Sequence, residues 1–252
     1  MARLIVLGSA AAVCDAEHDN THLLLQGDLG SVVLIDCSSN PTRKLPLLGI
    51  APEDIPDVIL THFHPDHVAG LPIMMMQMWL LGRQTPLRLH GLHHCLHRVE
   101  RMMKSFQWDT WPNFFPVEFH RVAEWPDVVL LDNDDFHIRA WPTRHFIPTI
   151  GLRIEVKTTG NVVGYSCDTE PIPNIVELGR GVDLLLHEAA GEGFGHSSAA
   201  QAGAVATEAG AKRLALIHYN VGPGLPDQLV DEARSTYDGP VELAVDFGEY
   251  TI

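Results

Sequence analysis

A short strand, Asp57 to Leu60, runs into Thr61-His62-Phe63-His64-Pro65-Asp66-His67, which puts three imidazoles and a carboxylate within six residues. No other feature restricts the fold so strongly. Such a cluster belongs at the carboxyl end of a strand, where a rigid scaffold presents polar side chains at a sheet edge. With 15 histidines and 18 aspartates in 252 residues, a His-x-His-x-Asp-His segment arises by chance with a probability of roughly 0.4%. His62 and His64, two apart in an extended or turning segment, can face one point. Asp66 and His67, on the following turn, face another. One motif can thus seed two metal sites, and neutral imidazole with carboxylate suits zinc first, then manganese or iron, whereas magnesium wants more oxygen ligands.

Two metals require ligands beyond these four, and the chain offers them. His145 follows the aromatic-rich strand at Ala140-Trp-Pro, Asp168 ends Val162-Val-Gly-Tyr-Ser-Cys, and His218 ends Leu214-Ala-Leu-Ile. Each stands just past an apolar strand. Two cations about 3.5 to 4 Å apart would acidify a shared water and clamp the attacking and leaving oxygens of a displacement, so a metal-bridging hydroxide forms near neutral pH. Asp36, ending the strand Val32 to Ile35, is a candidate acceptor for a ligating imidazole, with a capped strand end as the alternative.

The rest of the chain supplies a scaffold for such a site. Apolar or alternating runs at Leu4–Leu7, Leu23–Leu25, Val32–Ile35, Val58–Leu60, Val128–Leu131, Leu152–Val156, Val162–Tyr165, Leu184–Leu186, Leu214–Ile217 and Val241–Val245 read as strands. Helices are expected over Ala69–Leu81, Ser198–Gly210 (capped by Ser197 or Ser198) and Pro226–Tyr237. Strand-rich first, then alternating, the order suggests stacked sheets with outer helices, in a single domain over residues 1–252. Four scattered cysteines without a CxxC pair indicate no disulfide framework, and a reducing, cytoplasmic compartment is expected. Residues 1–14 imitate a short signal peptide, but Leu4–Leu7 turning at Gly8 reads as a buried first strand. No apolar run is long enough to span a bilayer, and no membrane partner is expected. With 17 Lys+Arg against 32 Asp+Glu, the net charge of −15 disfavours nucleic acid as a partner.

These segments together resemble the metallo-β-lactamase superfamily of binuclear metallohydrolases, and within it the ribonuclease Z-like branch. The likeness runs through Leu4-Ile-Val-Leu-Gly-Ser, Leu34-Ile-Asp-Cys, the His62–His67 motif with Gly70-Leu-Pro, His145 with Gly151-Leu-Arg-Ile, Ser166-Cys-Asp-Thr, Leu186-His-Glu-Ala, His196-Ser-Ser and Leu216-Ile-His. The resemblance implies an α/β fold, the αβ/βα four-layer sandwich. It implies His62, His64 and His145 at one metal, Asp66, His67 and His218 at the other, and Asp168 bridging. It further implies that Glu188 and His196 act catalytically beyond the metals, near the leaving group, and a homodimer is common among relatives; on physical grounds Asp66 would be catalytic too, orienting the metal-bridging hydroxide. Independently, His196 precedes the helix that starts near Ser198, whose free N–H groups suit an anionic phosphate.

Two departures bear on the substrate. Bacterial ribonuclease Z carries a glycine- and proline-rich arm for tRNA where this chain has only Val156 to Asn161 or so. Cys167 also stands where the family usually has glycine, which raises a question about the backbone beside Asp168. The expectation is therefore a phosphodiesterase acting on a small or cyclic phosphodiester. A sulfatase, lactonase or thioesterase on the same site, or a tRNA 3′-end endonuclease, is the alternative. A binding protein with a degenerate site is disfavoured by the intact ligand set. An oxygen-reducing di-iron protein is disfavoured because His64 stands where those relatives usually carry glutamate.

Other conspicuous residues read as structure. His93 and His97 share an i,i+4 spacing near Cys95, His90 and His94, but no carboxylate or second cysteine completes a third metal site. Met74–Met78 with Trp79 reads as packing, and Trp108, Trp111, Phe114 and Phe115 as core. Asp132–Asp135 reads as a solvated hairpin turn. His120, His137 and His187 carry no functional assignment.

Overall fold

The computed structural model describes residues 1–222 and 225–252. The first sheet is built from β1 (Arg3–Gly8), β2 (His22–Gln26), β3 (Val32–Ile35), β4 (Asp57–Leu60), β5 (Leu87–Leu92) and β6 (Val117–Val122). The second comprises β7 (Val128–Asp132), β8 (Phe136–Pro142), β9 (Ile150–Val156), β10 (Val162–Tyr165), β11 (Leu184–Ala189), β12 (Leu214–Tyr219) and β13 (Val241–Leu243). The last strand, β14 (Glu249–Thr251), returns to pair antiparallel with β1, giving seven strands in each sheet. Pairing is antiparallel through β1–β2–β3 and β7–β8–β9–β10, and parallel through β3–β4–β5–β6 and β10–β11–β12–β13.

Alternation along the strands divides the apolar residues into three cores. Leu4, Leu23, Val33 and Ile59 meet Ile138, Leu152, Val163, Leu186 and Ile217 between the sheets. Residues of the opposite parity, such as Ile5, Leu24, Leu34 and Val58, pack under α2 (Leu71–Leu80) and α3 (His93–Ser105). On the far side, Leu185, Leu214 and Leu216 pack under α4 (Pro173–Leu178) and α5 (Ala199–Ala209), and α6 (Leu225–Arg234) contacts α5. The result is the αβ/βα four-layer sandwich. Ser198 caps α5 through a capping box with Gln201, and Gly210 ends it in the left-handed conformation at φ 66°.

Several expectations need correction. The helix expected over Ala69–Leu81 is two pieces, α1 (Pro65–Val68) and α2, broken at Gly70. There the chain passes so close to Ser39 that a Cβ would lie 1.7 Å from its carbonyl oxygen. The strands β5, β6 and β14 were not anticipated, because their sequences carry Arg, His and Glu at alternate positions and lack an uninterrupted apolar run. Asp135 is not solvated: it is buried, and its carboxylate accepts the N–H groups of Leu29 and Ser31, pinning the β2–β3 turn. Phe115 is buried, while Trp108, Trp111 and Phe114 pack half-buried against the same core.

The layers bring the carboxyl ends of several strands from both sheets to one rim, the usual place for a site in a partly parallel sheet. Asp36 follows β3, the His62–His67 motif follows β4, His145 follows β8, Asp168 follows β10, Glu188 lies near the end of β11, and His218 near the end of β12.

Candidate metal centre

At this rim the donor atoms converge. His62 Nε2 and His145 Nε2 lie 3.1 and 3.0 Å from His64 Nδ1. His67 Nε2 is 3.6 Å from Asp66 Oδ2, and with His218 these groups form a second cluster. Asp168 stands between the clusters, with Oδ2 3.8 Å from His62, 3.7 Å from His145 and 3.3 Å from His218, and Oδ1 3.6 Å from His67. Ligands about 2.0–2.1 Å from a tetrahedral zinc lie roughly 3.3 Å from one another, so the spacing matches the edge of a coordination shell. All seven residues expected at the metals are thus brought together.

Hydrogen bonds around the clusters fix which ring nitrogens carry protons. His67 Nδ1 donates to Asp36 Oδ2 at 2.8 Å, and His145 Nδ1 donates to the Gly195 carbonyl at 2.8 Å. The Thr21 hydroxyl donates to the Ala10 carbonyl, so its oxygen accepts from His218 Nδ1 at 3.1 Å. The Thr61 hydroxyl donates to Asp36, so it accepts from His62 Nδ1 at 3.1 Å. Four imidazoles therefore turn their Nε2 atoms inward, each with its Nδ1 proton committed to an acceptor outside the cluster. His67 Nε2 is buried and has no hydrogen-bond partner, as an atom awaiting a cation should be.

The backbone at this rim is held in an uncommon state. Asp36, Cys167 and His218 take φ of 61°, 52° and 51°. Such left-handed residues cost about 1–3 kcal/mol each and persist where surrounding structure enforces them. Cys167 occupies the conformation that glycine adopts readily, which answers the question raised by the substitution beside Asp168. Gly195, at φ 80°, is needed as glycine, because a Cβ there would sit 2.9 Å from His145 Nδ1.

Comparison with known proteins agrees with this architecture. Residues 32–219 match the family model described as a beta-lactamase superfamily domain. The chain belongs to the metallo-β-lactamase superfamily. It is 26% identical to ribonuclease Z of Methanothermobacter thermautotrophicus, over 94% of this chain and 92% of the relative. To ribonuclease Z of Mycobacterium marinum it is 28% identical, over 98% and 97%. The metallo-β-lactamase fold protein YhfI from Bacillus subtilis superposes with a TM-score of 0.77 at 26% identity, over 99% of this chain and 98% of that one. The short form of human tRNase Z shares the fold, with a TM-score of 0.79 at 23% identity over 99% of both chains. The protein is accordingly a metal-dependent hydrolase, and its fold implies divalent metal ions. The likeness to ribonuclease Z over nearly the whole chain stands against the expectation, drawn from charge, that nucleic acid is not a partner. No described helix is long and apolar enough to cross a membrane.

The electrostatics of this metallo-β-lactamase centre favour ligation. Burial drives His62, His64, His145 and His218 below the ordinary imidazole value, His218 to about 4. These rings are neutral, as a metal requires. Burial also opposes a charge on His67, but Asp168 and Asp36 outweigh it and hold His67 well above the ordinary value. Between those carboxylates the site demands a positive charge, which a cation supplies as well as a proton does.

Beyond the clusters, Glu188 is wholly buried and accepts His196 Nδ1–H at 3.0 Å. Its oxygens also accept the N–H groups of Thr169, Ser197 and Ala190. Burial pushes the Glu188 carboxyl up to about 7, against the pull of His196. Burial opposes the protonated form of His196, yet the Glu188 hydrogen bond and charge raise it. His196 lines a cavity of about 250 Å³ together with His64, Asp66, His145, Asp168 and His218. Sequence reasoning missed Thr21, Thr61 and Gly195. These positioning groups sit on elements remote in sequence from the imidazoles they serve, or bear no ligating chemistry of their own.

Proposed function

We propose that this chain is a binuclear metal-dependent phosphodiesterase acting on a small or cyclic phosphodiester. His62, His64 and His145 would hold one ion, Asp66, His67 and His218 the other, with Asp168 shared. Zinc fits the nitrogen-rich donor set best, ahead of manganese or iron. When bound, such a pair supplies Lewis acidity and lowers the pKa of water. Asp66 reaches the cavity beside His67 and would orient the attacking water.

The observation that carries the reading is the His196–Glu188 contact of 3.0 Å at the cavity wall. A buried carboxylate that holds an imidazole protonated, facing the reacting centre, is a general acid for an oxygen leaving group. An alkoxide leaving a phosphodiester needs that proton far more than a thiolate leaving a thioester does.

Two observations support a small substrate. Strands β9 and β10 are joined by only residues 157–161, where the ribonuclease Z resemblance would place an arm for tRNA. The described cavity lining contains neither Lys nor Arg, so nothing there clamps a polyanion. Processing of RNA 3′ ends is the second reading, favoured by the whole-length likeness to ribonuclease Z. The deciding experiment assays the zinc- or manganese-loaded protein with a chromogenic diester, a lactone, a thioester and a precursor tRNA. Turnover of the diester alone, lost in Asp66→Ala, is the expected result, with His196→Ala slowing an alkyl diester far more than the chromogenic one. Cleavage of the precursor with little diester turnover would give the assignment to the second reading, and diester turnover in Asp66→Ala equal to that of wild type would remove the first.

A further inference from the structure

Phe146 lines the cavity of the candidate site, and Phe194 packs on it from outside the lining. Phe146 is 58% exposed and Phe194 67% exposed, yet each large ring is positioned. Their centroids are 5.0 Å apart with planes at 71°, an edge-to-face pair. Phe146 also lies 5.1 Å from the His145 ring and 6.2 Å from the His196 ring, so it abuts both a candidate ligand and the candidate acid. Phe194 is held on the strap between β11 and α5, where the Gly195 N–H donates to Glu170 and the Gly195 carbonyl accepts from His145. The strap is thereby tied to the metal centre. Ala12 and Val13 are small apolar residues of the described lining, which holds no Lys or Arg, and Arg144, next to His145, is paired with Glu170 at 3.7 Å.

A mouth of this composition repels nothing neutral and offers an anion no counter-charge, but it gives a flat π-system a surface to stack on. The cavity of about 250 Å³ is below the usual range for a drug-sized ligand, roughly 300 Å³ and upward. The metal ions, the attacking water and the phosphate would share that space, so a ring-bearing ester substituent would extend toward the mouth. Resting on the phosphodiesterase reading, we propose that Phe146 and Phe194 form a stacking subsite for a planar aromatic ring, an aryl group or a nucleobase, on the non-leaving ester oxygen. The subsite selects substrates by the substituent that chemistry leaves untouched, so its contribution enters kcat/KM through binding.

The test uses the metal-loaded protein and three diesters that share p-nitrophenol as leaving group: the methyl, phenyl and thymidine 5′ esters. Wild-type protein is expected to prefer a ring-bearing ester over the methyl ester by about tenfold in kcat/KM, the scale of one stacked ring. Phe194→Ala and Phe146→Leu should each reduce that ratio to below about threefold. Trp125→Ala, at an exposed aromatic far along the chain in the β6–β7 turn, should leave all three substrates unchanged. Calorimetry gives a second readout: phenylphosphonate should bind wild type more tightly than methylphosphonate does, and the difference should shrink in both variants. A phenyl-only or thymidine-only preference would identify which ring class the subsite takes, within the proposal. A ratio near one in wild type, or a ratio preserved in both variants, overturns the stacking subsite while leaving phosphodiester hydrolysis intact. Wild-type protein that hydrolyses none of the three diesters overturns the phosphodiesterase reading itself, and the subsite with it.

Discussion

His67 donates its Nδ1–H to Asp36 Oδ2 at 2.8 Å, with both side chains wholly buried beneath the candidate metal centre. The contact fixes the tautomer that turns His67 Nε2 inward, and the same carboxylate accepts the Thr61 N–H and hydroxyl. Asp36→Asn keeps the shape and tolerates φ 61°, since asparagine visits the left-handed region more readily than most residues. It weakens the acceptor. Groups of this kind are typically worth 10–100-fold in metal affinity. Competition titration with a zinc chelator should show one of two bound ions weakened by about that factor. Two ions bound as tightly as in wild type would refute the role given to Asp36.

A second prediction concerns Gly195. Its carbonyl accepts from His145, and its φ of 80° and the 2.9 Å approach to His145 leave no room for a methyl group. Gly195→Ala should keep the fold, because the strap is short and its preceding residues, 191–194, are exposed. It should weaken one ion and reduce diester turnover about tenfold or more. Normal zinc stoichiometry and affinity with normal turnover would show that the strap does not position His145.

Much of this centre was legible because ligating residues announce themselves: three imidazoles and a carboxylate in six residues are rare, and His145, Asp168 and His218 each follow an apolar strand. Stacked sheets with outer helices were legible from the apolar runs of β1, β2 and β12, and the four-layer form followed from the family resemblance. What stayed hidden has a different chemistry. Strands β5 and β6 carry Arg88, His90, Glu118 and His120 on one face, where Asp57 pairs with both Arg88 and His90. A polar face satisfied by such partners looks like loop when read one strand at a time. Thr21 and Thr61 were hidden because a hydroxyl that relays a hydrogen bond has no signature until the fold brings its acceptor near.

Acid should destabilise the protein through histidines unrelated to metal ligation. His22 and His187 are fully buried, burial depresses both to about 4, and neither Nε2 has a hydrogen-bond partner. Above pH 6.5 both are neutral folded and unfolded, so they contribute no pH dependence. Below it the unfolded chain takes up protons that the native one refuses, and stability falls until pH reaches about 4. For one such group the loss at pH 5 is about 2 kcal/mol. Urea unfolding of metal-free protein at pH 7 and pH 5 should show this loss, reduced in His187→Leu by about that amount. An identical pH difference in wild type and variant would place the acid sensitivity elsewhere.

The most discriminating prediction lies in the partnership of Glu188 and His196. Glu188→Gln preserves volume and one acceptor oxygen but removes the charge that keeps His196 protonated. His196 acts as an acid only in its protonated form, so activity that needs it declines as pH rises through its raised pKa. Without Glu188 the decline begins at lower pH. The effect must depend on the leaving group. A diester that loses an alkoxide should slow by about 10²–10⁴-fold in Glu188→Gln at pH 8, the usual worth of a positioned acid. A p-nitrophenyl diester, whose phenolate leaves without help, should slow far less. Rate measurements on both substrates from pH 5.5 to 9 separate this from simple damage to the metal centre, which would depress both substrates equally and leave the alkaline limb in place. A common loss of that kind would return Glu188 to a purely structural role, holding Thr169, Ser197 and Ala190 around the strap.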